Sequence, residues 1–152
     1  MLKKLLAAPM LALSLSLSAP AAQASPAEIL DLYQRFATAQ NARDLAKVRA
    51  LLLDTGNFLW VSDGMSIWGV DATLERMSSF QQAQTWRVEP DLAHARVVEL
   101  DDGAAYLHLP LDLVIGSDPT PDRLHFLVSM LGARTPEGWK IAALFTTTAK
   151  PQ

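Results

Sequence analysis

A run of helix signals followed by a run of strand signals places this chain in the α+β class, with helices packed on a curved antiparallel sheet. Three observations carry that reading. Between residues 26 and 53, apolar side chains recur at three- and four-residue spacing. An Asp63-Gly64 turn separates two short apolar segments. From residue 86 onward the pattern is alternating strand cut by turn residues. A sheet of this size buries one face by curling around the first helix, which leaves a cone-shaped cavity between sheet and helices.

The chain opens with Lys3 and Lys4, continues in an apolar run from residue 5 to about residue 19, and reaches Ala22-Gln23-Ala24, a small-x-small pattern. This is the layout of a secretory signal cleaved after Ala24. Pro9 and several serines break the run, which is too short for a membrane span. The expectation is an exported, periplasmic single domain over residues 25–152, with no membrane span after processing. The chain has no cysteine, so neither disulfides nor lipid attachment through a processed cysteine contributes, and packing alone must hold the fold.

Residues 26–40 form the first helix: Ser25 caps it, Pro26 suits its first position, and Ile29, Leu32, Tyr33, Phe36 and Ala39 or Gln40 share a face. Asp44 caps a second helix over 45–53. Residues 57–62 and 65–68 make a hairpin around Asp63-Gly64. Gly69 introduces a third helix over 70–80, with Leu74, Met77 and Phe80 on one side. Four antiparallel strands follow: 86–100, bent at Pro90, then 104–115, 124–133 and 139–148. Asp101-Asp102-Gly103, the proline-containing loop 116–122, and Thr135-Pro136-Glu137-Gly138 make the turns.

Thirteen basic and 16 acidic residues give a formal charge of −3, made more negative by two once Lys3 and Lys4 leave. With no basic cluster, nucleic acid and anionic membrane surfaces are excluded as natural partners. Three histidines and no cysteine disfavour a structural zinc site, and no cofactor is expected.

Asn41-Ala42-Arg43-Asp44-Leu45, Trp60-Val61-Ser62-Asp63-Gly64, Gly69 and Gly138-Trp139-Lys140-Ile141, in this order, resemble the nuclear transport factor 2-like superfamily, close to its SnoaL-like branch. The resemblance implies a cystatin/nuclear transport factor 2-like roll, a fold that hosts isomerases, cyclases, dehydratases, hydrolases and plain binding or assembly modules. Residues 34–45 resemble the first helix of ketosteroid isomerase, in which a carboxylate base works with a tyrosine and a protonated acid. By that resemblance the tyrosine donor falls on Phe36, the base near Trp60, Val61 or Ser62, and the second acid near Val128 or Ser129. None of these supplies the required group, so isomerase chemistry of that kind is disfavoured.

Strand alternation sorts the histidines. Leu107, Leu109, Leu111 and Leu113 share one face of their strand, and Tyr106, His108 and Asp112 the other. His108 lies outside if the leucines face the helices. The resemblance of Ala104-Ala105-Tyr106 to the isomerase strand turns it inward instead, and a bulge at Pro110 reconciles the two. An inward His108 would be the one neutral-pH base of the cavity, and it is the catalytic candidate. His125 is expected opposite Asp112 on the outer face, and His94 in solvent. A metal cluster of Asp91, His94, Asp112 and His125 is not favoured. Asp44, Asp63, Asp101, Asp102, Asp118 and Asp122 are caps, turns or loop residues.

The remaining candidates are large and apolar. Tyr33, Phe36, Trp60, Trp68, Met77, Val128, Met130 and Phe145 are expected to contact a ligand, with Phe58, Phe80 and Phe126 as further aromatics; simple core packing fits the same set. Phe36 and Trp60 are placed in the cavity by the resemblance, as is Phe145, because Ala143-Leu144-Phe145 resembles the family's last strand. The leading expectation is an exported, non-catalytic binding or accessory domain whose apolar cavity takes a small apolar or aromatic molecule. The alternatives are a SnoaL-like enzyme of isomerase, cyclase or dehydratase type on a hydrophobic substrate, and a homodimeric assembly module using the outer sheet face.

Overall fold

A computed structural model describes residues 25–150; the expected signal and the residues before its cleavage point lie outside the described residues. The order is α1 (Pro26–Asn41), α2 (Leu45–Leu51), β1 (Leu59–Ser62), β2 (Met65–Trp68), α3 (Val70–Phe80), β3 (Thr85–Pro90), a 3-10 turn (Leu92–His94), β4 (Arg96–Asp101), β5 (Ala104–Gly116), β6 (Asp122–Thr135) and β7 (Gly138–Thr148). The strands form one sheet in the order β2-β1-β7-β6-β5-β3, with β4 pairing β5 as well. This is the α+β roll expected from the sequence, with one correction to its pairing. β1 runs parallel to β7, from Leu59 beside Ala143 to Ser62 beside Thr146, so the sheet is mixed.

Local chemistry explains the element ends. The Ser25 hydroxyl accepts from the Ala27 N–H, and the Glu28 carboxylate accepts from the Ser25 N–H at 3.0 Å, closing the start of α1. Asp63 and Gly64 have φ of 52° and 74°, the two positive values that a tight hairpin turn between β1 and β2 requires. The second helix stops at Leu51 rather than continuing to 53. Leu52 is extended and bridges Ile141, and the Leu53 N–H donates to the Ile141 carbonyl at 2.7 Å. The expected strand 86–100 is two strands. Pro90 ends β3, and Asp91 accepts from the His94 N–H to cap the 3-10 turn. Both pieces then pair with β5, β3 along its end and β4 along its start.

Asn41-Ala42-Arg43-Asp44 proves to be the joint of the molecule. The Asn41 amide donates to the Val88 carbonyl at 2.8 Å and accepts from the Val88 N–H at 2.6 Å, so one side chain pairs β3 as a neighbouring strand would. Arg43 donates to the carbonyls of Gln81, Ala83 and Gln84 and secures the chain leaving α3. Asp44 accepts from the Lys47 N–H and starts α2. At the other end of the sheet, an added Cβ on Gly132 would meet Ile29 at 3.4 Å and the Trp139 ring at 3.5 Å. The register of β6 and β7 shifts between Leu131 and Gly132. This irregularity lets the sheet bend tightly over α1.

The core lies between α1 and the concave face of the sheet. Ile29, Leu32, Tyr33 and Phe36 of α1 are buried with Leu107, Leu109, Val128, Met130, Ile141 and Leu144. No helix among the described residues is long and apolar enough to cross a membrane.

Candidate functional site

The wide end of the roll encloses a cavity of about 170 Å³. Tyr33, Phe36 and Gln40 enter it from one face of α1, at the spacing that brings residues three and seven apart onto the same side. Met77 and Phe80 of α3 and Trp86 and Val88 of β3 form further walls. Leu111, Leu113, Ile115, Leu124, Phe126, Val128 and Leu144 pave the sheet side. Tyr33, Phe36, Met77, Val128 and Leu144 are buried and form the inner end, whereas Asp63 and Leu124 are exposed at the rim.

The polar groups on this wall differ in what they already bind. Thr146 accepts from the Trp60 indole N–H at 3.2 Å and donates to the Val61 carbonyl at 3.2 Å. Ser62 donates to the Asp63 carboxylate. Asp63 also faces the Arg76 guanidinium at 3.8 Å. Arg76 lies over the Phe80 ring at 4.8 Å and near Trp60 at 5.9 Å, cation–π contacts that hold both aromatics. Tyr33 and Gln40 are different. They are 2% and 7% exposed, and among the described residues neither side chain makes a hydrogen bond. The Gln40 backbone carbonyl is engaged, accepting from the Trp86 indole at 3.1 Å, but its side-chain amide is not. Burial pushes the Tyr33 phenol pKa up, so it stands in the cavity as a neutral hydroxyl.

A SnoaL-like domain model matches residues 29–144, most of the chain. The chain belongs to the SnoaL-like domain family. No curated protein matches it by sequence. Solved structures share its fold at low identity. A candidate dehydratase of the nuclear transport factor 2-like family from Streptomyces avermitilis is 14% identical, with a TM-score of 0.72 over 82% of this chain and 97% of that one. A ketosteroid isomerase-like protein from Erwinia carotovora atroseptica SCRI1043 is 18% identical, with a TM-score of 0.65 over 82% and 96%. Hexachlorocyclohexane dehydrochlorinase LinA-type3 from Novosphingobium barchaimii LL02 is 12% identical, with a TM-score of 0.69 over 82% and 86%.

In this SnoaL-like domain the sequence candidates separate into three groups. Tyr33, Phe36, Trp60, Met77 and Val128 line the cavity. Met130 is buried in the core but is not on the cavity wall. Phe145 and Trp68 are outside it, at 42% and 59% exposure. For Phe145 the reason is strand alternation: Leu144 points inward, so its neighbour points out, opposite Ser129 and Val61. Trp68 stands opposite Leu59, whose neighbour Trp60 is the inward residue.

All three histidines stand off the cavity wall. His108 is on the convex face with Tyr106 and Pro110, its ring nitrogen 3.0 Å from the Ser129 hydroxyl, and β5 needs no bulge at Pro110. The inward alternative for His108 is thereby corrected: an unbroken β5 register sends Leu107, Leu109 and Leu111 inward and His108 out. His125 stands directly opposite Asp112, with Nδ1 2.6 Å from the carboxylate, and His94 contacts Asp91 at 2.7 Å. These are two separate pairs, not one cluster. At the isomerase positions, Phe36, Trp60, Ser62 and Val128 line the cavity and carry no carboxylate.

Sequence reasoning missed Gln40, Trp86, Thr146, Asp63 and the leucines of β5 as cavity walls. The leucines read as core because core and wall demand the same alternation. Gln40 was visible as the last residue on the buried stripe of α1, and a polar residue on such a stripe is the available signal.

Proposed function

We propose that this chain is an exported domain that binds a small apolar or aromatic molecule in the cavity and performs no proton-transfer chemistry there. The observation supporting this is the composition of the wall. Eighteen residues line it, all but four of them apolar or aromatic when Tyr33 is counted with the aromatics. Its one carboxylate, Asp63, is a rim residue facing Arg76, and the histidines are elsewhere. An apolar cavity with few polar groups is the usual form of a small-molecule site. The dehydratase and dehydrochlorinase descriptions of two structural neighbours suggest the competing enzymatic reading, with Asp63 as the base available to it.

Two of the walls are tryptophans, so binding has an intrinsic reporter. Titrating the protein with toluene should change tryptophan emission saturably, and Phe36→Trp, which fills the inner end, should abolish the change while the protein remains folded by circular dichroism. Emission that never saturates, or is indifferent to filling the cavity, would argue against the reading. Loss of water or chloride from an added hydroxylated or chlorinated substrate, abolished by Asp63→Asn, would establish the enzymatic one.

The convex face supports a second proposal, pairing with another copy of this chain. Trp68, Leu59, Ala143, Leu131, Tyr106 and Val98 are cross-strand neighbours in one row over six strands. Such a row extends about 24 Å. Farther along β5 and β6 from this row, Asp112, Arg123 and His125, with Glu89 opposite Asp112, carry both signs of charge, which a two-fold axis can match to themselves. Equilibrium sedimentation at micromolar concentration should give a dimer that Tyr106→Glu dissociates; a monomer at that concentration would reject it.

A further inference from the structure

The polar groups of the cavity narrow the ligand class, on the reading that the cavity is a binding site. Apart from Tyr33 and Gln40, the polar side chains of the wall, Ser62, Asp63 and Thr146, have partners within the protein. Thr146 holds the Trp60 indole, and Ser62 and Arg76 face Asp63. Tyr33 and Gln40, both more than nine-tenths buried, direct unpaired hydrogen-bonding groups at the same space. Both residues stand on the cavity wall without a protein partner for these groups, so their bonding capacity is left for whatever fills the cavity. Lying on one stripe of one helix, about 10 Å apart along its axis, they mark positions where a ligand completes the bonding.

Size and charge set the remaining limits. An apolar cavity of about 150 Å³ takes up benzene. This one is about 170 Å³, a size matched to a single ring. No cationic side chain lines it, and burying an anion there would lack compensation. The geometry points to a neutral, single-ring aromatic ligand bearing a hydroxyl or carbonyl oxygen, bonded by the Tyr33 hydroxyl or the Gln40 amide.

Phenol and toluene have nearly the same shape and differ by one polar group, so they separate this inference from the broader reading. A plain apolar cavity would take toluene at least as well as phenol, because phenol gives up hydrogen bonds to water on entry. The wild-type protein should instead bind phenol at least about tenfold more tightly than toluene in NMR titrations, a preference of the kind that a site built for a hydroxyl shows. Tyr33→Phe and Gln40→Met should each reduce the preference, and the double variant should reverse it while still binding toluene. Toluene binding equal to phenol binding would overturn the inference and leave the binding reading standing. Binding of a four-ring steroid ketone as tightly as phenol would overturn the single-ring match. No binding of either small ring would overturn the binding reading itself.

Discussion

Phe36 and Phe145 differ only in which way the backbone turns them, and that difference has a measurable consequence. Phe36 is 2% exposed and sits among Tyr33 and the sheet, whereas Phe145 stands on the convex face. Truncating a packed aromatic removes both its transfer free energy and the contacts around the void. Phe36→Ala should therefore cost about 3–5 kcal/mol in chemical denaturation. Phe145→Ala in the monomer should stay within about 0.5 kcal/mol, as surface changes do. Equal losses would mean that the last strand is turned the other way. Alternation alone identified the inward face of β6 and the outward Asp112–His125 pair, because each strand there has an unambiguous apolar side. It was not decisive in Ala143-Leu144-Phe145, where both faces are apolar, and family likeness pointed to the wrong one. Tyr33 was legible as a buried face residue, but its unpaired hydroxyl was not, since partners come from distant parts of the chain.

The joint at the end of α1 shows how one side chain can organise an element. Asn41 supplies both a donor and an acceptor to Val88, a residue 47 positions away. Asn41→Ala leaves that backbone N–H and carbonyl unpaired at a partly buried site. The expected loss is about 1–3 kcal/mol, read from the denaturation midpoint. Because β3 carries Trp86 and Val88 into the cavity, amide exchange of β3 should accelerate more than that of β6. Uniform acceleration throughout the sheet would show that Asn41 does not act locally on β3. The helix and hairpin boundaries were readable because caps, Gly69 and Asp63-Gly64 are local signals. The division of residues 86–100 into two strands was not, since it depends on both pieces finding the same partner strand. The parallel pairing of β1 with β7 was equally hidden, as it joins segments about 80 residues apart in the chain.

At the scale of the molecule, the convex face carries a charge network that makes stability depend on pH. His125 and Arg123 hold the Asp112 carboxyl below its ordinary pKa, and Arg123 and Arg87 do the same for Glu89. Lowered folded-state values mean that this stabilisation is present above the unfolded carboxyl pKa and is lost as pH falls through the folded one. The thermal midpoint should thus decline as pH drops below about 4. Asp112→Asn should flatten that decline, and a variant as acid-sensitive as the wild type would show that the network contributes nothing. Whether a small molecule binds in the cavity is tested most directly by methionine methyl NMR, since Met77 lines the cavity, Met130 is packed in the core and Met65 is exposed on β2. With saturating phenol, the ring current of the bound aromatic should shift the Met77 methyl strongly while the Met65 methyl stays in place. A shift at Met65 with Met77 unmoved would put the ligand on the surface and contradict binding in the cavity.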